Sequence, residues 1–277
     1  MSNDVLLFFH KPKEKGESIN MIITTAGRTN EAMIQQAVKV AAELEGRFIK
    51  REKRSVQLIQ QIEKEDCIVV GKERLELYPL GDAEPFFFHP SSAMFRIKRL
   101  MRGEHDPFVE AAKLHSGKTL LDCTLGLASD SIVASFIVGK EGKVTGIEGN
   151  PYVGYIVKNG LQSWASGISE IDQAMKRIEV MHDLSLPFLK SVPDQSFDCV
   201  YFDPMFEEHI LESDGIKALR RFAVYDEMAE QMIEEAKRVA KECVVLKDHF
   251  RSSRFERFQF HVHKRKNAKF HFGIIEK

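Results

Sequence analysis

The fold is decided by residues 120–130, LLDCTLGLASD, where a short apolar run ends at Asp122 and a glycine follows at Gly126. This pattern predicts a buried strand that turns directly into a helix. Glycine at such a turn lets the backbone approach a ligand closely, and the free N–H groups at the helix start can donate to it. The stretch therefore predicts one strand-turn-helix unit of a ligand-binding α/β sheet.

Outward from this stretch, apolar runs of strand length alternate with segments of helical periodicity. The predicted strands are Thr119–Cys123, Lys143–Ile147, Ile178–Met181, Cys199–Phe202 and Cys243–Leu246. The predicted helices between them are Ser131–Val138, Val153–Ser163, Ile168–Lys176 and Tyr225–Val239. Short runs that are apolar on both faces suit a parallel sheet covered by helices on both sides.

The last two predicted strands follow a different pattern. Arg257–His263 and Lys269–Ile275 are separated by residues 264–268 alone, which is too short a link for a helical crossover. We expect these strands to form an antiparallel hairpin at the end of the sheet. The sequence therefore predicts a Rossmann-like α/β sheet of seven strands, mostly parallel, with a C-terminal antiparallel hairpin.

The N-terminal part of the chain predicts a small α/β module of its own. Its predicted strands are Asn20–Thr25, Arg47–Lys50, Asp66–Val70, Leu75–Tyr78 and Pro85–His89, and its predicted helices are Glu31–Glu45 and Ser55–Glu63. Two more helical stretches follow, Ser91–Arg102 and Pro107–His115. We therefore divide the chain into a module at 1–90, a helical linker at 91–117 and a main domain at 118–277.

Composition limits the classes of function. The 277 residues are 43% hydrophobic and 29% charged, which is typical of a globular chain with a sizeable core. Forty basic against 41 acidic residues give a formal net charge of -1, so nucleic-acid binding must come from local patches. No apolar window approaches the length of a membrane span and the start of the chain has no cleavage site, so we expect a soluble, cytoplasmic protein without a membrane partner.

The cysteines and histidines do not predict a metal site. Cys67, Cys123, Cys199 and Cys243 stand far apart, each within a predicted strand, and there is no C-x-x-C pair. We therefore expect buried, reduced thiols.

The second predicted strand of the main domain also ends in an acidic residue. Glu148 follows the second strand of the main domain, where a carboxylate can accept both hydroxyls of a ribose. A dinucleotide fingerprint would have glycine where Thr124 and Ser129 stand, so a cofactor without a pyrophosphate fits better. Taken alone, Gly126 also fits a role in packing, and Glu148 also fits a solvated strand end.

The fourth strand of the main domain ends in residues 203–206, DPMF. Ligands of open α/β sheets bind outside the carboxyl ends of the strands, so these residues should share a crevice with Gly126 and Glu148. The Asp203 carboxylate and the Pro204 carbonyl can accept both hydrogens of an exocyclic amine, while Phe206 stacks on a flat ring. A strand-ending turn with Phe206 in the core is the alternative.

In chain order, residues 122–130, Glu148 and residues 203–206 resemble the motifs of class I S-adenosylmethionine-dependent methyltransferases, with DPMF similar to the aspartate-proline-proline-tyrosine motif of amino-methylating members. Together with RRF at 220–222 and VVLK at 244–247, they are similar to the RsmJ-like (YhiQ) methyltransferases, which act on a guanine exocyclic amine of 16S ribosomal RNA. The resemblance covers roughly Pro90 to the C-terminus. It departs from that family at residues 125–130, which read LGLASD instead of AGLGRD, and at Glu207, where the family has proline.

The resemblance implies S-adenosylmethionine as the cofactor and no metal. The cofactor-binding residues that it implies are Asp122, Thr124, Gly126, Asp130, Glu148 and Asp183. It makes Asp203, Pro204 and Phe206 catalytic, with Asp203 orienting the amine rather than deprotonating it. Met205, Arg221, Lys247 and Arg28 are the candidates for contact with the substrate.

The implied substrate is a single-stranded or flipped base of ribosomal RNA, alone or in the small ribosomal subunit, because a base within a duplex cannot reach such a pocket. Basic clusters at 47–54, 96–102, 251–257 and 264–266 offer phosphate contacts, although charged surface faces are the commoner explanation. The N-terminal module is a candidate RNA-docking element. Adenine N6 or another amine of RNA or DNA as the target, a non-catalytic RNA-binding protein, and a nucleotide-dependent oxidoreductase remain alternatives.

Overall fold

The computed structural model describes residues 21–204, 219, 221–222, 228–266 and 268–277, which fall into two compact units. Of these residues, the first unit contains 21–88, 151–160, 219, 221 and 222. The second contains 89–150, 161–204, 228–266 and 268–277. The first unit thus includes segments beyond residue 117, and the division at 90 and 117 stays a prediction.

The first unit is built on a four-stranded sheet with helices. Its strands are β1 (Ile22–Thr25), β2 (Arg47–Phe48), β3 (Cys67–Val70) and β4 (Leu75–Tyr78), in the order β2-β1-β3-β4. β1 is parallel to β2 and β3, and β4 is antiparallel to β3. Its helices are α1 (Glu31–Glu43) and α2 (Val56–Glu63).

Side-chain caps define where both helices begin. The Asn30 side chain accepts the N–H of Met33, and the Ser55 hydroxyl accepts the N–H of Leu58. The expected strand at 85–89 is not formed, since Phe86 makes only an isolated bridge to Leu77. Prolines at both ends of this segment lack the N–H donor that a strand requires.

The second unit contains the predicted seven-stranded sheet. Its strands are β5 (Thr119–Asp122), β6 (Lys143–Glu148), β7 (Glu179–His182), β8 (Phe197–Phe202), β9 (Ala240–His249), β10 (His261–His263) and β11 (Phe270–Glu276). The strand order is β10-β11-β9-β8-β5-β6-β7. The five strands from β9 to β7 are parallel, and β11 is antiparallel to both β9 and β10, so the predicted fold class is confirmed.

Helices precede and connect these strands along the chain. They are α3 (Ser91–Leu100), α4 (Pro107–Ala111), α5 (Ser129–Val138), α6 (Pro151–Ser163), α7 (Ser169–Lys176), α8 (Ser185–Ser191), α9 (Glu230–Val239) and α10 (Arg254–Arg257), with the start of α6 belonging to the first unit. The pattern did not predict α8. The expected strand from Arg257 starts only at His261, because the chain first forms α10 and packs Phe255 and Phe260 against Gly273, where a Cβ would lie 2.7 Å from each ring side chain.

The four cysteines are buried and none forms a disulfide, as predicted. Among the described residues, no group of His, Cys, Asp or Glu side chains is arranged to hold a metal ion. The part of the chain that the structure describes also contains no helix with the length and apolar character of a membrane span.

The strand order fixes where a ligand can bind. β5 is the middle one of the five parallel strands, and the chain continues to β6 on one side and later to β8 and β9 on the other. The crevice of such a sheet lies outside the carboxyl ends of the strands on either side of this reversal. The ends of β5, β6, β8 and β9 therefore define the candidate site.

Candidate active site

The turn after β5 folds back over the end of β6. Gly126 has φ 48° and Ala128 has φ 60°, both in the left-handed region. The N–H of Leu125 donates to the carbonyl of Ile147 at 3.0 Å. Gly146 in β6 leaves room for this turn, since a Cβ there would collide with the Leu125 side chain.

Glu148 ends β6 beneath this turn. Its Oε2 accepts the N–H of Gly126 at 3.2 Å, and its Oε1 accepts the N–H of Asn150 at 2.9 Å. Burial raises the pKa of Glu148 to about 7, and these backbone donors oppose the shift only in part. A carboxylate in this position, beside the turn at Gly126, can accept hydrogen bonds from the hydroxyls of a nucleoside ribose, so the residues fit S-adenosylmethionine.

Asp122, at the end of β5, is buried and fully hydrogen-bonded. Its Oδ1 accepts the N–H of Thr124 at 3.0 Å, and its Oδ2 accepts the Ser131 hydroxyl at 2.7 Å. Burial raises the pKa of Asp122 to about 7 against these two hydrogen bonds. Asp122 therefore fixes the turn and the start of α5 together.

Thr124 connects the turn after β5 with the end of β8. The backbone N–H of Asp203 donates to Thr124 Oγ1 at 2.6 Å, and the N–H of Cys123 donates to the Tyr201 carbonyl at 2.9 Å. The glycine turn and the start of the DPMF segment therefore meet at one edge of the sheet.

Asp203 is paired with a lysine from β9. Lys247 Nζ lies 2.6 Å from Asp203 Oδ2, and the Asp203 side chain retains 26% of its surface exposed. Burial raises the pKa of Asp203 to about 6, although Lys247 acts to lower it. Within the described part of the chain, Asp203 Oδ1 has no hydrogen-bond partner.

Asp130 lies behind this pair in a charge network. It accepts hydrogen bonds from Lys247 at 3.1 Å, from the Tyr201 hydroxyl at 2.9 Å and from Arg96. Burial alone would raise the pKa of Asp130, but the charges of Lys247 and Arg96 outweigh it and hold the pKa far below its usual range. The same balance holds the pKa of Lys247 above its usual range: burial lowers it, and Asp130 and Asp203 raise it more. The contact of Asp130 with the cofactor stays a prediction.

Arg96 joins the network to the segment before β5. Its guanidinium makes a two-pronged ion pair with Asp106 at 2.7 and 2.8 Å, and Asp106 also caps α4 by accepting the N–H of Phe108. The sequence placed Arg96 in a basic cluster for phosphates, whereas in the structure its partly buried side chain pairs with Asp106 and Asp130. Helical spacing gave a signal, because Arg96 lies three residues after Ala93 and beside Ile97, the two buried residues of α3.

The remaining predicted residues are distributed as follows. The N–H of Asp183 donates to the Glu148 carbonyl at 3.3 Å, which places Asp183 beside the β6 end, and Pro204 follows Asp203 directly. Arg221 pairs with Asp82 at 3.2 Å within the first unit, and Arg28 is exposed before α1 in the same unit. Met205 and Phe206 lie outside the described residues, so the predicted stacking of Phe206 stays a prediction.

Comparisons with known proteins show which family and which relatives the chain resembles. Residues 51–272 match the family described as "Putative SAM-dependent methyltransferase". The chain is 49% identical over 255 residues to a Bacillus subtilis protein described as "Uncharacterized protein YpiP", covering 92% of this chain and 99% of that one. It is 30% identical to ribosomal RNA small subunit methyltransferase J of Coxiella burnetii over 157 residues, which cover 54% of this chain and 59% of that protein.

A solved structure shows the same fold. The SAM-dependent methyltransferase NGO1261 of Neisseria gonorrhoeae superposes with a TM-score of 0.62 at 16% identity, covering 92% of this chain and 95% of that one. At this identity the likeness establishes the architecture.

Proposed function

The chain belongs to the family of SAM-dependent methyltransferases, and from this premise we propose that it methylates an exocyclic amine of a nucleobase in ribosomal RNA, with guanine N2 as the target. The observation that carries the proposal is the Thr124 bridge at 2.6 Å, which sets the Asp203-Pro204 end of β8 against the glycine turn. The similarity to methyltransferase J supports ribosomal RNA as the substrate class, although it spans little more than half of each chain.

The cofactor side is formed by the end of β6 and the glycine turn. When bound, S-adenosylmethionine supplies an electrophilic methyl group on a sulfonium. Ionised Glu148 accepts the hydrogens of the ribose hydroxyls, and the glycine turn admits the methionine part close to the backbone. Asp122 keeps that turn in place through Thr124 and Ser131.

The amine side is formed by Asp203 and Pro204. An exocyclic amine is a weak nucleophile because its lone pair is conjugated with the ring. Asp203 Oδ1 and the Pro204 carbonyl accept its two hydrogens and stabilise the positive charge that develops on nitrogen. Once the new N–C bond has formed, one of these hydrogens leaves as a proton to solvent, which restores the neutral amine. Lys247 holds Asp203 in one orientation, and with a pKa of about 6 the carboxylate is ionised at neutral pH.

Nucleoside analysis of ribosomal RNA tests the proposal. We expect 16S ribosomal RNA from cells that lack this chain to lose one N2-methylguanosine, and the purified protein to restore it with S-adenosylmethionine. Loss of N6-methyladenosine instead would assign the adenine alternative. An unchanged nucleoside profile, together with no methyl transfer to RNA in vitro, would reject the proposal.

The variant Asp203→Ala tests the catalytic assignment. Because it removes the acceptor for the developing charge, we expect kcat to fall by about 10²- to 10³-fold, with affinity for S-adenosylmethionine retained. Asp194→Ala is the matched control, since Asp194 is an acidic residue of the same unit with a side chain 75% exposed. A non-catalytic RNA-binding protein would show the same RNA profile with Asp203→Ala as with the unchanged chain.

A further inference from the structure

An aromatic and basic surface lies at the carboxyl end of β9 and the start of β11. We define it as the aromatic-basic strip: Phe250, Arg251, Arg265, Phe270 and His271. The antiparallel pairing of His249 with Phe270 brings the two segments side by side, and the N–H of Phe250 donates to the Lys269 carbonyl at 3.1 Å.

The strip is continuous with the site. Lys247 Nζ lies 2.6 Å from Asp203 Oδ2 and 5.1 Å from the centroid of the Phe270 ring. Because β9 is parallel to β8, its carboxyl end lies at the same edge of the sheet as Asp203. A chain bound along the strip would therefore lead directly to the catalytic carboxylate.

Cationic and aromatic groups alternate along the strip. The Arg251 guanidinium lies 5.0 Å from the Phe250 ring centroid, and that of Arg265 lies 4.8 Å from the Phe270 centroid. The Phe250 and His271 rings meet edge to face at 6.2 Å, and Phe250 is 43% exposed. Flat rings that support guanidinium groups are suited to stacking bases and binding phosphates together.

Among the residues that the structure describes, no carboxylate lies within ion-pair distance of Arg251 or Arg265, the two cations of the strip. The nearby Asp248 is buried and paired with Arg254 at 2.9 Å. Arg257, in the same basic cluster of the sequence, is paired with Glu230 at 2.9 Å. Among the described residues, the guanidinium groups of Arg251 and Arg265 are therefore open to ion pairing with a polyanion.

We propose that the aromatic-basic strip binds the single-stranded RNA nucleotides that flank the target base. Phe250 and Phe270 stack on bases, and Arg251 and Arg265 contact phosphates. This inference rests on the proposed function, because it deepens the same site by naming the surface that delivers its substrate.

Direct RNA binding tests the strip without requiring methyl transfer. A fluorescent single-stranded oligoribonucleotide is titrated with the full chain over a series of salt concentrations, and anisotropy gives the Kd. We expect Phe250→Ala to weaken binding roughly 5- to 100-fold with an unchanged salt slope, because a stacking contact releases no counterions. Arg251→Ala and Arg265→Ala should each weaken binding and reduce the slope of log K against log salt by about 0.7.

An exposed Phe and an exposed Lys of the same unit provide controls. Phe95 is 65% exposed, and the side chain of Lys140, which lies in none of the basic clusters of the sequence, is 87% exposed. Phe95→Ala and Lys140→Ala should leave the Kd and the salt slope unchanged. Retained affinity for S-adenosylmethionine shows that each variant is folded.

The outcomes separate the two proposals. Three results would overturn the proposed role of the strip. The strip variants could bind RNA as tightly as the unchanged chain, the control variants could weaken RNA binding equally, or the wild-type chain could bind single strands no tighter than a duplex. RNA binding that depends on the strip without methyl transfer to ribosomal RNA would reject the proposed function alone. Methyl transfer with an unchanged KM for RNA in the strip variants would reject the strip alone.

Discussion

The carboxylates on the two sides of the candidate site are held by different kinds of donor. Glu148 and Asp122 accept from backbone N–H groups and a hydroxyl, and burial raises the pKa of each to about 7. Asp130 is buried too, yet the charges of Lys247 and Arg96 outweigh burial and lower its pKa. Neutral donors therefore leave Glu148 and Asp122 close to their titration points at neutral pH, whereas paired cations keep Asp130 ionised.

Replacing Lys247 should have the largest effect, because it removes a cation that distinguishes Asp130 and Asp203 from Glu148 and Asp122. In Lys247→Met, Asp203 loses its cationic partner and Asp130 keeps only Arg96. Loss of one partner of a buried pair costs about 3–5 kcal/mol in the free energy of unfolding. The pKa of Asp203 should rise above about 6, because the influence of Lys247 that lowers it is lost. In the proposed mechanism activity requires the ionised Asp203 carboxylate, so the acidic limb of kcat/KM should move to higher pH by about one unit or more.

Lys118 is the matched control for this variant. Its side chain is 16% exposed, as is that of Lys247, and it pairs with Glu242 away from the ligand-binding edge. Lys118→Met should lower stability in chemical denaturation and leave the acidic limb where it is. If the limb stays in place in Lys247→Met as well, the ion pair does not set the charge of Asp203.

The pH dependence of cofactor binding sharpens the other half of the contrast. Glu148 accepts ribose hydroxyls best when ionised, and its raised pKa of about 7 means that ionisation is lost as the pH falls through 7. Affinity for S-adenosylmethionine, measured by calorimetry, should therefore level off above pH 7 and fall by up to about tenfold per unit below it.

Glu148→Gln removes this titrating group. We expect affinity at pH 8 to be roughly 10- to 100-fold weaker, because hydrogen bonds to a charged acceptor are lost, and nearly independent of pH. Any slope that remains belongs to Asp122, whose pKa is also about 7. Glu179→Gln, at the exposed amino end of β7, should behave like the unchanged chain. Equal affinity at pH 6 and pH 8 in the unchanged chain would refute the role of Glu148.

The comparison also shows what the sequence could and could not predict. The strands of the large sheet and the acids at their ends follow from local apolar runs, so the positions of Asp122, Glu148 and Asp203 at strand ends can be predicted from pattern. The partners of those acids depend on contacts between distant segments. Arg96 lies 34 residues from Asp130 in the chain, and the sequence pattern indicated a surface cation there. Helix α8 escaped prediction because it is short and contains Pro187, and propensity is weak evidence over so few residues.

Thr124 links the two sides, and changing it should have the smallest effect. Its Oγ1 accepts the Asp203 N–H, so Thr124→Val leaves that donor unsatisfied and costs about 1 kcal/mol, which corresponds to a roughly fivefold lower kcat. Thr124→Ser keeps the hydroxyl and should retain kcat. If Thr124 acts through Asp203, affinity for S-adenosylmethionine is unchanged in Thr124→Val. If affinity falls while kcat is retained, Thr124 contacts the cofactor itself, as the family resemblance implies, and the bridge does not position the catalytic carboxylate.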